Sequence, residues 1–182
     1  MNRLQFTPVA EATGHAAQLF AAIKSAVGMV PNAYVGIGSN SPHALEAALN
    51  LDAALKKGGL DGREIEAIKL VVSDAADCDY CLAAHTVLGQ QAGVSAETLA
   101  AAQIGQSSDP RTAAALAFAL KAVTQRAQVS DADVAQLHEV GFGDEQVVEL
   151  LAHVALNLFT NYVNVAFQVP VDFPPVPLSR AA

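Results

Sequence analysis

The stretch EAIKLVVSDAADCDYCLAAH, residues 66–85, decides how this chain is read. It holds both cysteines of the protein, Cys78 and Cys81, with a histidine, His85, four residues after the second. Its first half has the apolar spacing of an amphipathic helix, and its second half, from Asp77, reads as the start of another. With Asp77 as N-cap, Cys78 takes the first helical position and Cys81 the fourth. Residues three and four apart share a helix face, so Cys78, Cys81 and His85 fall on one stripe. A Cys-x-x-Cys at a helix start suits redox chemistry, because the positive end of the helix favours thiolate over thiol. His85, one turn beyond Cys81, is placed to act as its base, directly or through a water.

A base that takes and releases a proton is commonly held by a third group. Glu66 is the candidate. If residues 62 to 91 fold as a helical hairpin turning at Ala75 and Ala76, Glu66 and His85 are equidistant from the midpoint at 75.5 and lie level with each other. An unbroken helix would instead put Glu66 roughly 18 Å from Cys78. The relay therefore requires the break, and Ser73, Asp74 and Asp77 are suitable turn residues. The competing reading makes Glu66 a solvated partner of Lys69.

The same punctuation continues in both directions. One helix is expected from about 14 to Gly28, and a short one follows Pro31. The next starts at Ser41 with Pro42 in its first turn and stops at Gly58 and Gly59. Asp61 caps the helix that carries Glu66. Beyond Gly93, Ser95, Asp109 and Ser130 each cap a further helix, and the last runs from about Asp144 to about Gln168. The tail VPVDFPPVPLSRAA carries Pro170, Pro174, Pro175 and Pro177, so it is expected to lie extended on a neighbour or in solvent. No segment of useful length alternates with strand period. The fold class is all-α, as a single domain over 1–182, with a redox core over about 40–105 and C-terminal helices and tail over 110–182. A weak echo relates GGLDGREIEAIKLVV to VGFGDEQVVELLAHV at an offset of 82.

Composition narrows the function. The chain has 182 residues, 52% of them hydrophobic, and a net charge of −8 from ten Lys and Arg against eighteen Asp and Glu. That balance lacks the basic footprint of nucleic-acid binding. The most apolar stretch is interrupted by His153, Asn157, Thr160, Asn161 and Asn164, which argues against a membrane span. No targeting segment is recognised, so a cytoplasmic protein is expected. In that compartment a cysteine pair more often serves redox or metal chemistry than a structural disulfide.

Glu66, eleven residues, Cys78, two residues, Cys81, three residues, His85: this spacing resembles that of the alkylhydroperoxidase D-like family, within the carboxymuconolactone decarboxylase superfamily. The ending NLFTNYVNVAFQVPVDFP is similar to that of its peroxidase-related members. The resemblance implies an all-helical fold assembling as trimers or hexamers. It implies a peroxidase with no bound cofactor and no metal, reducing a hydroperoxide at the expense of a dithiol reductant of lipoyl or thioredoxin-like type. It makes Cys81 the peroxidatic and Cys78 the resolving cysteine, with His85 and Glu66 as proton relay. Family members often carry a second histidine just before the second cysteine, and here Tyr80 stands there, either as packing near the site or in place of a relay group. The decarboxylase branch lacks the cysteine pair.

Other readings stay beside this one. The dithiol could serve a general thiol–disulfide oxidoreductase or redox sensor without peroxide turnover. Cys78, Cys81, His85 and Glu66 could form a zinc set, though three ligands on one short helix strain a tetrahedral site. The polar stripe His153, Asn157, Asn161 and Asn164 reads as helix-to-helix hydrogen bonding, with a role in the site as the alternative. His15, His43 and His138 show no pattern and read as surface residues.

Overall fold

The computed structural model describes residues 3–179. Among them the regular elements are helical: α1 Gly14–Val27, α2 Asn32–Asn40, α3 Pro42–Leu55, α4 Gly62–Ala75, α5 Asp79–Gln91, α6 Ala96–Gln103, α7 Pro110–Thr124, α8 Asp131–Glu139 and α9 Asp144–Phe167, with a 3₁₀ turn at Val9–Glu11. The caps fall where the sequence places them. Ser41, Asp61, Ser95, Asp109 and Ser130 each accept a backbone N–H of their own first turn. Such a cap stabilises a helix by about 1 kcal/mol. At α4 the cap is reciprocal, with Glu64 accepting the Asp61 N–H.

Helix α4 is the centre of the molecule. Eleven of its fourteen residues are buried, so it has no solvent face to speak of. It packs against α5, α6, α7 and α9. Ile68, Leu70, Val71 and Val72 join Leu82, Leu116, Leu137 and Leu150 in the main core. Each such side chain contributes roughly 1.5–3 kcal/mol when fully buried. A second cluster, with Phe20, Ile23, Val35, Ile37 and Leu45, binds α1, α2 and α3 together. Helices α5 and α6 approach closely because Gly89 lacks a side chain; a Cβ there would stand 2.5 Å from Leu99 Cδ2.

The break between α4 and α5 differs from expectation in one residue. Asp77 does not cap α5. It terminates α4, with φ +53, and the Asp77 and Cys78 N–H groups donate to the Asp74 and Ser73 carbonyls. That is the Schellman arrangement, in which a left-handed residue lets the last carbonyls find donors, and aspartate tolerates the conformation better than most side chains. The N-cap of α5 is Cys78 itself.

Helix α9 is long and apolar enough by length and composition to cross a membrane. It packs as a bundle helix, with Leu150, His153, Val154, Leu156, Asn157, Asn161 and Asn164 buried. The sequence echo maps onto α4 and α9, which lie side by side. The proline-rich tail lies on its own chain rather than in solvent. Asp172 accepts the Asn32 N–H at 2.8 Å and the Tyr80 O–H at 2.6 Å. Farther on, Ser179 donates to Asp74 and the Pro177 carbonyl accepts from Gln103.

Candidate active site

The hairpin register argued from the midpoint is met in the side chains. His85 Nδ1 stands 2.8 Å from Glu66 Oε2. Lys69 does not pair with Glu66; its Nζ reaches Asp52 Oδ1 at 3.1 Å. Burial pulls the Glu66 carboxyl upward, but His85 and, less strongly, Lys69 outweigh it and hold it below its ordinary value. Glu66 is therefore the ionised acceptor and His85 Nδ1 the donor.

The other ring nitrogen has a partner that the sequence did not announce. His85 Nε2 lies 3.1 Å from Asn157 Oδ1. The orientation of that amide follows from its neighbours: Asn157 Nδ2 donates to the Lys69 carbonyl at 2.9 Å and to Ser73 Oγ at 3.1 Å. A carbonyl can only accept, so the NH₂ must face it and the oxygen must face the imidazole. Both His85 nitrogens thus stand beside oxygen atoms, Glu66 Oε2 and Asn157 Oδ1, and the ring is fixed between α4 and α9.

The two thiols are free and buried, Cys78 at 0% and Cys81 at 4% exposure. Cys78 Sγ accepts the Cys81 N–H at 3.3 Å, the bond an N-cap side chain makes. The Cys81 thiol as donor, and then this backbone N–H, draw the Cys78 thiol below its ordinary value against the pull of burial. Cys81 moves the opposite way, raised well above it by sharing its proton with Cys78 and by burial. As N-cap, Cys78 holds the site nearest the helix's unpaired N–H groups. Cys81 Sγ nevertheless has a donor of its own, Asn164 Nδ2 at 3.2 Å. Thr160 Oγ1 lies 3.9 Å away with its O–H turned to the Asn157 carbonyl.

The hydrogen bonds of Tyr80 lead to α2 and the tail. Its hydroxyl donates to Asp172 and accepts the Ala33 N–H at 3.1 Å, and its ring meets Phe173 edge-on. Burial, then Asp172, push its phenol far above the ordinary value, so it stays a neutral donor. Cys78, Tyr80 and Cys81 share an apolar cluster with Ala33 and Val169, against which Phe6 and Phe173 pack. The tail is thus the roof of the dithiol. A cleft of about 630 Å³ lies elsewhere, near Asp61, Arg63, Ser95 and Arg111, and neither cysteine lines it.

Residues 42–125 match the sequence profile of the carboxymuconolactone decarboxylase family. Three solved structures extend the likeness to nearly the whole chain. An uncharacterised peroxidase-related protein from Ralstonia eutropha JMP134, described as an alkylhydroperoxidase AhpD core, is 26% identical with a TM-score of 0.85, covering 94% of this chain and 92% of its own. A peroxidase-related protein from Silicibacter sp. TM1040 is 24% identical with a TM-score of 0.77, covering 96% and 92%. The debrominase Bmp8 is 25% identical with a TM-score of 0.73, covering 86% of each chain. No curated protein matches the chain significantly by sequence. The chain has an AhpD-like fold and is similar to the carboxymuconolactone decarboxylase family over residues 42–125.

Within this AhpD-like frame, Glu66, Cys78, Cys81 and His85 meet in one region. The polar stripe of α9 joins them: Asn157 on His85, Asn164 on Cys81, and Asn161 bridging to the Val72 carbonyl and Ser73. Its signal was polar residues at helical spacing on an otherwise apolar helix, which fits packing as well as chemistry. His153 continues the stripe, but neither of its ring nitrogens has a hydrogen-bond partner among the described residues. Asp172 gave no signal at all, since a lone aspartate among prolines reads as loop.

Proposed function

We propose that the protein is a thiol-dependent peroxidase that reduces hydroperoxides through the Cys78–Cys81 dithiol, with Cys81 as the attacking sulfur. The observation that carries this reading is the Asn164 N–H set on Cys81 Sγ beside Cys78, whose thiolate form accepts the Cys81 S–H. In the monoanion the proton moves along the pair from Cys81 to Cys78, leaving the Cys81 thiolate on the Asn164 donor. That thiolate attacks the terminal oxygen of ROOH. The S–O bond forms, the O–O bond breaks, and RO⁻ leaves as ROH with a proton delivered by His85 as general acid. Cys78 then attacks the sulfenic sulfur of Cys81; the disulfide forms and hydroxide leaves as water with the Cys78 proton. Glu66 holds His85 in place through the hydrogen bond at Nδ1. A dithiol of lipoyl or thioredoxin-like type returns the disulfide to the reduced state.

The outward face of α9 supports an oligomer. Val148, Leu151, Ala155, Phe159, Tyr162 and Ala166 are all exposed at spacings of three and four, a stripe suited to a second copy.

The deciding experiment is anaerobic stopped-flow mixing of the reduced protein with hydrogen peroxide and with an organic hydroperoxide, following disulfide formation. One disulfide per peroxide consumed, at a rate far above that of a free thiol, is the expected result. Oxidation no faster than a free thiol, with normal exchange against a dithiol substrate, would replace this reading with a thiol–disulfide oxidoreductase. Because a debrominase shares the fold, an organobromine compound is the second substrate class to include, with bromide release as readout.

A further inference from the structure

Away from the dithiol, the fold brings together three side chains that the sequence scatters. His15 lies in the first turn of α1, while His43 and Glu46 lie one turn apart at the start of α3. One donor atom from each, two imidazole nitrogens and a carboxylate oxygen, all fall within 4.8 Å of one another. His15 Nε2 and Glu46 Oε2 are 3.5 Å apart, and the two imidazole rings are tilted with centroids 5.2 Å apart.

We propose that His15, His43 and Glu46 form a divalent metal site, selective for zinc-like ions, that clamps α1 to α3. The donor chemistry is a two-histidine, one-carboxylate set, which suits borderline transition ions and gives calcium or magnesium too few oxygens. The spacing agrees with it. Bonds of 2.0–2.2 Å around a tetrahedral ion place neighbouring ligand atoms about 3.3–3.5 Å apart. The His15–Glu46 separation has that length, whereas a directly hydrogen-bonded histidine and glutamate sit closer, as His85 and Glu66 do at 2.8 Å. His43 is exposed and offers its ring nitrogen within 4.8 Å of both other donors. The ion would tie the first turn of α1 to α3 at the margin of the apolar cluster that holds Phe20 and Leu45.

The test is zinc binding by the reduced, chelator-stripped full chain, in competition with a chromophoric chelator, with Co²⁺ substitution as the spectroscopic readout. One ion per chain at micromolar affinity is expected, with a melting temperature raised by roughly 5–10 °C at a hundredfold excess over Kd. His43→Ala and Glu46→Gln, both at accessible positions, should each weaken binding by at least about tenfold while leaving helicity unchanged. The Co²⁺ form should lack a thiolate-to-metal charge-transfer band, which separates this site from the cysteine pair. Binding that is unaffected by both substitutions, a thiolate band accounting for the bound ion, or affinity weaker than millimolar would each overturn the proposal.

Discussion

Asp172 offers the sharpest perturbation of the dithiol's roof. Its carboxylate takes two hydrogen bonds, from the Asn32 N–H at 2.8 Å and the Tyr80 O–H at 2.6 Å. A hydrogen bond to a charged group contributes about 1.5–3 kcal/mol. Removing both, even at the low end, costs the closed position about 3 kcal/mol, and each 1.4 kcal/mol is a factor of ten. Val169, the Phe173 contact and the Asn32 Nδ2 bond to the Pro170 carbonyl still hold the tail, so the transition stays an opening rather than a loss of fold. With thiols at 0% and 4% exposure, a reagent larger than water reacts only from the open state. Asp172→Ala should therefore raise the reaction rate of the reduced protein with an aromatic disulfide reagent about a hundredfold. Asp172→Asn, which keeps an acceptor for Tyr80, should fall between. The assay is the initial rate, first order in reagent, with helicity and melting temperature checked for each variant. An Asp172→Ala protein that keeps its fold and reacts no faster than wild type would show that the thiols are reached by another route.

The relay should respond as a unit. Glu66→Gln should slow peroxide reduction on the order of a hundredfold with the fold intact, His85→Ala should cost at least as much, and the double variant little more; rates against pH by stopped flow check this. Asn164→Ala removes the donor on Cys81 Sγ and should lower the rate of Cys81 oxidation roughly tenfold or more without changing disulfide exchange at Cys78, measured by mass-spectrometric trapping of the sulfenic acid. His153 is fully buried, and burial, then Lys69, lower it from 6.5 to about 4. An unfolded chain would bind that proton below about 6.5, so the stability linked to His153 is complete above that pH and is lost as pH falls toward about 4. The loss should reach about 3 kcal/mol in denaturant titrations, and His153→Gln should flatten it. Phe159→Glu on the exposed face of α9 should shift the assembly to smaller species by light scattering, and a wild type that is already monomeric would remove the interface from the account.

Much of this molecule is written locally. Ser41, Asp61, Ser95, Asp109 and Ser130 mark helix starts because a cap is made within one turn of the residue that makes it. The Glu66–His85 contact was legible for the same kind of reason: two helices joined by a short turn bring residues equidistant from it level, so counting suffices. Asp77 was misread because its two possible roles, cap of the next helix or end of the last, use the same residue type, and only the observed φ of +53 separates them. What tertiary structure alone decided involves partners far apart in the chain. Asn157 meets His85 across a separation of 72 residues, and Asn164 reaches Cys81 across 83. Asp172 finds Tyr80 across 92, and His15 meets His43 and Glu46 through the packing of α1 on α3. Which thiol is lowered also waited for the fold, since it depends on which sulfur occupies the N-cap and which buried amide faces the other. Local signals carry propensity and spacing; the pairing of distant polar groups is set by how the apolar faces of α4 and α9 dock, because burial makes each of those groups find a partner at whatever position the packing leaves it.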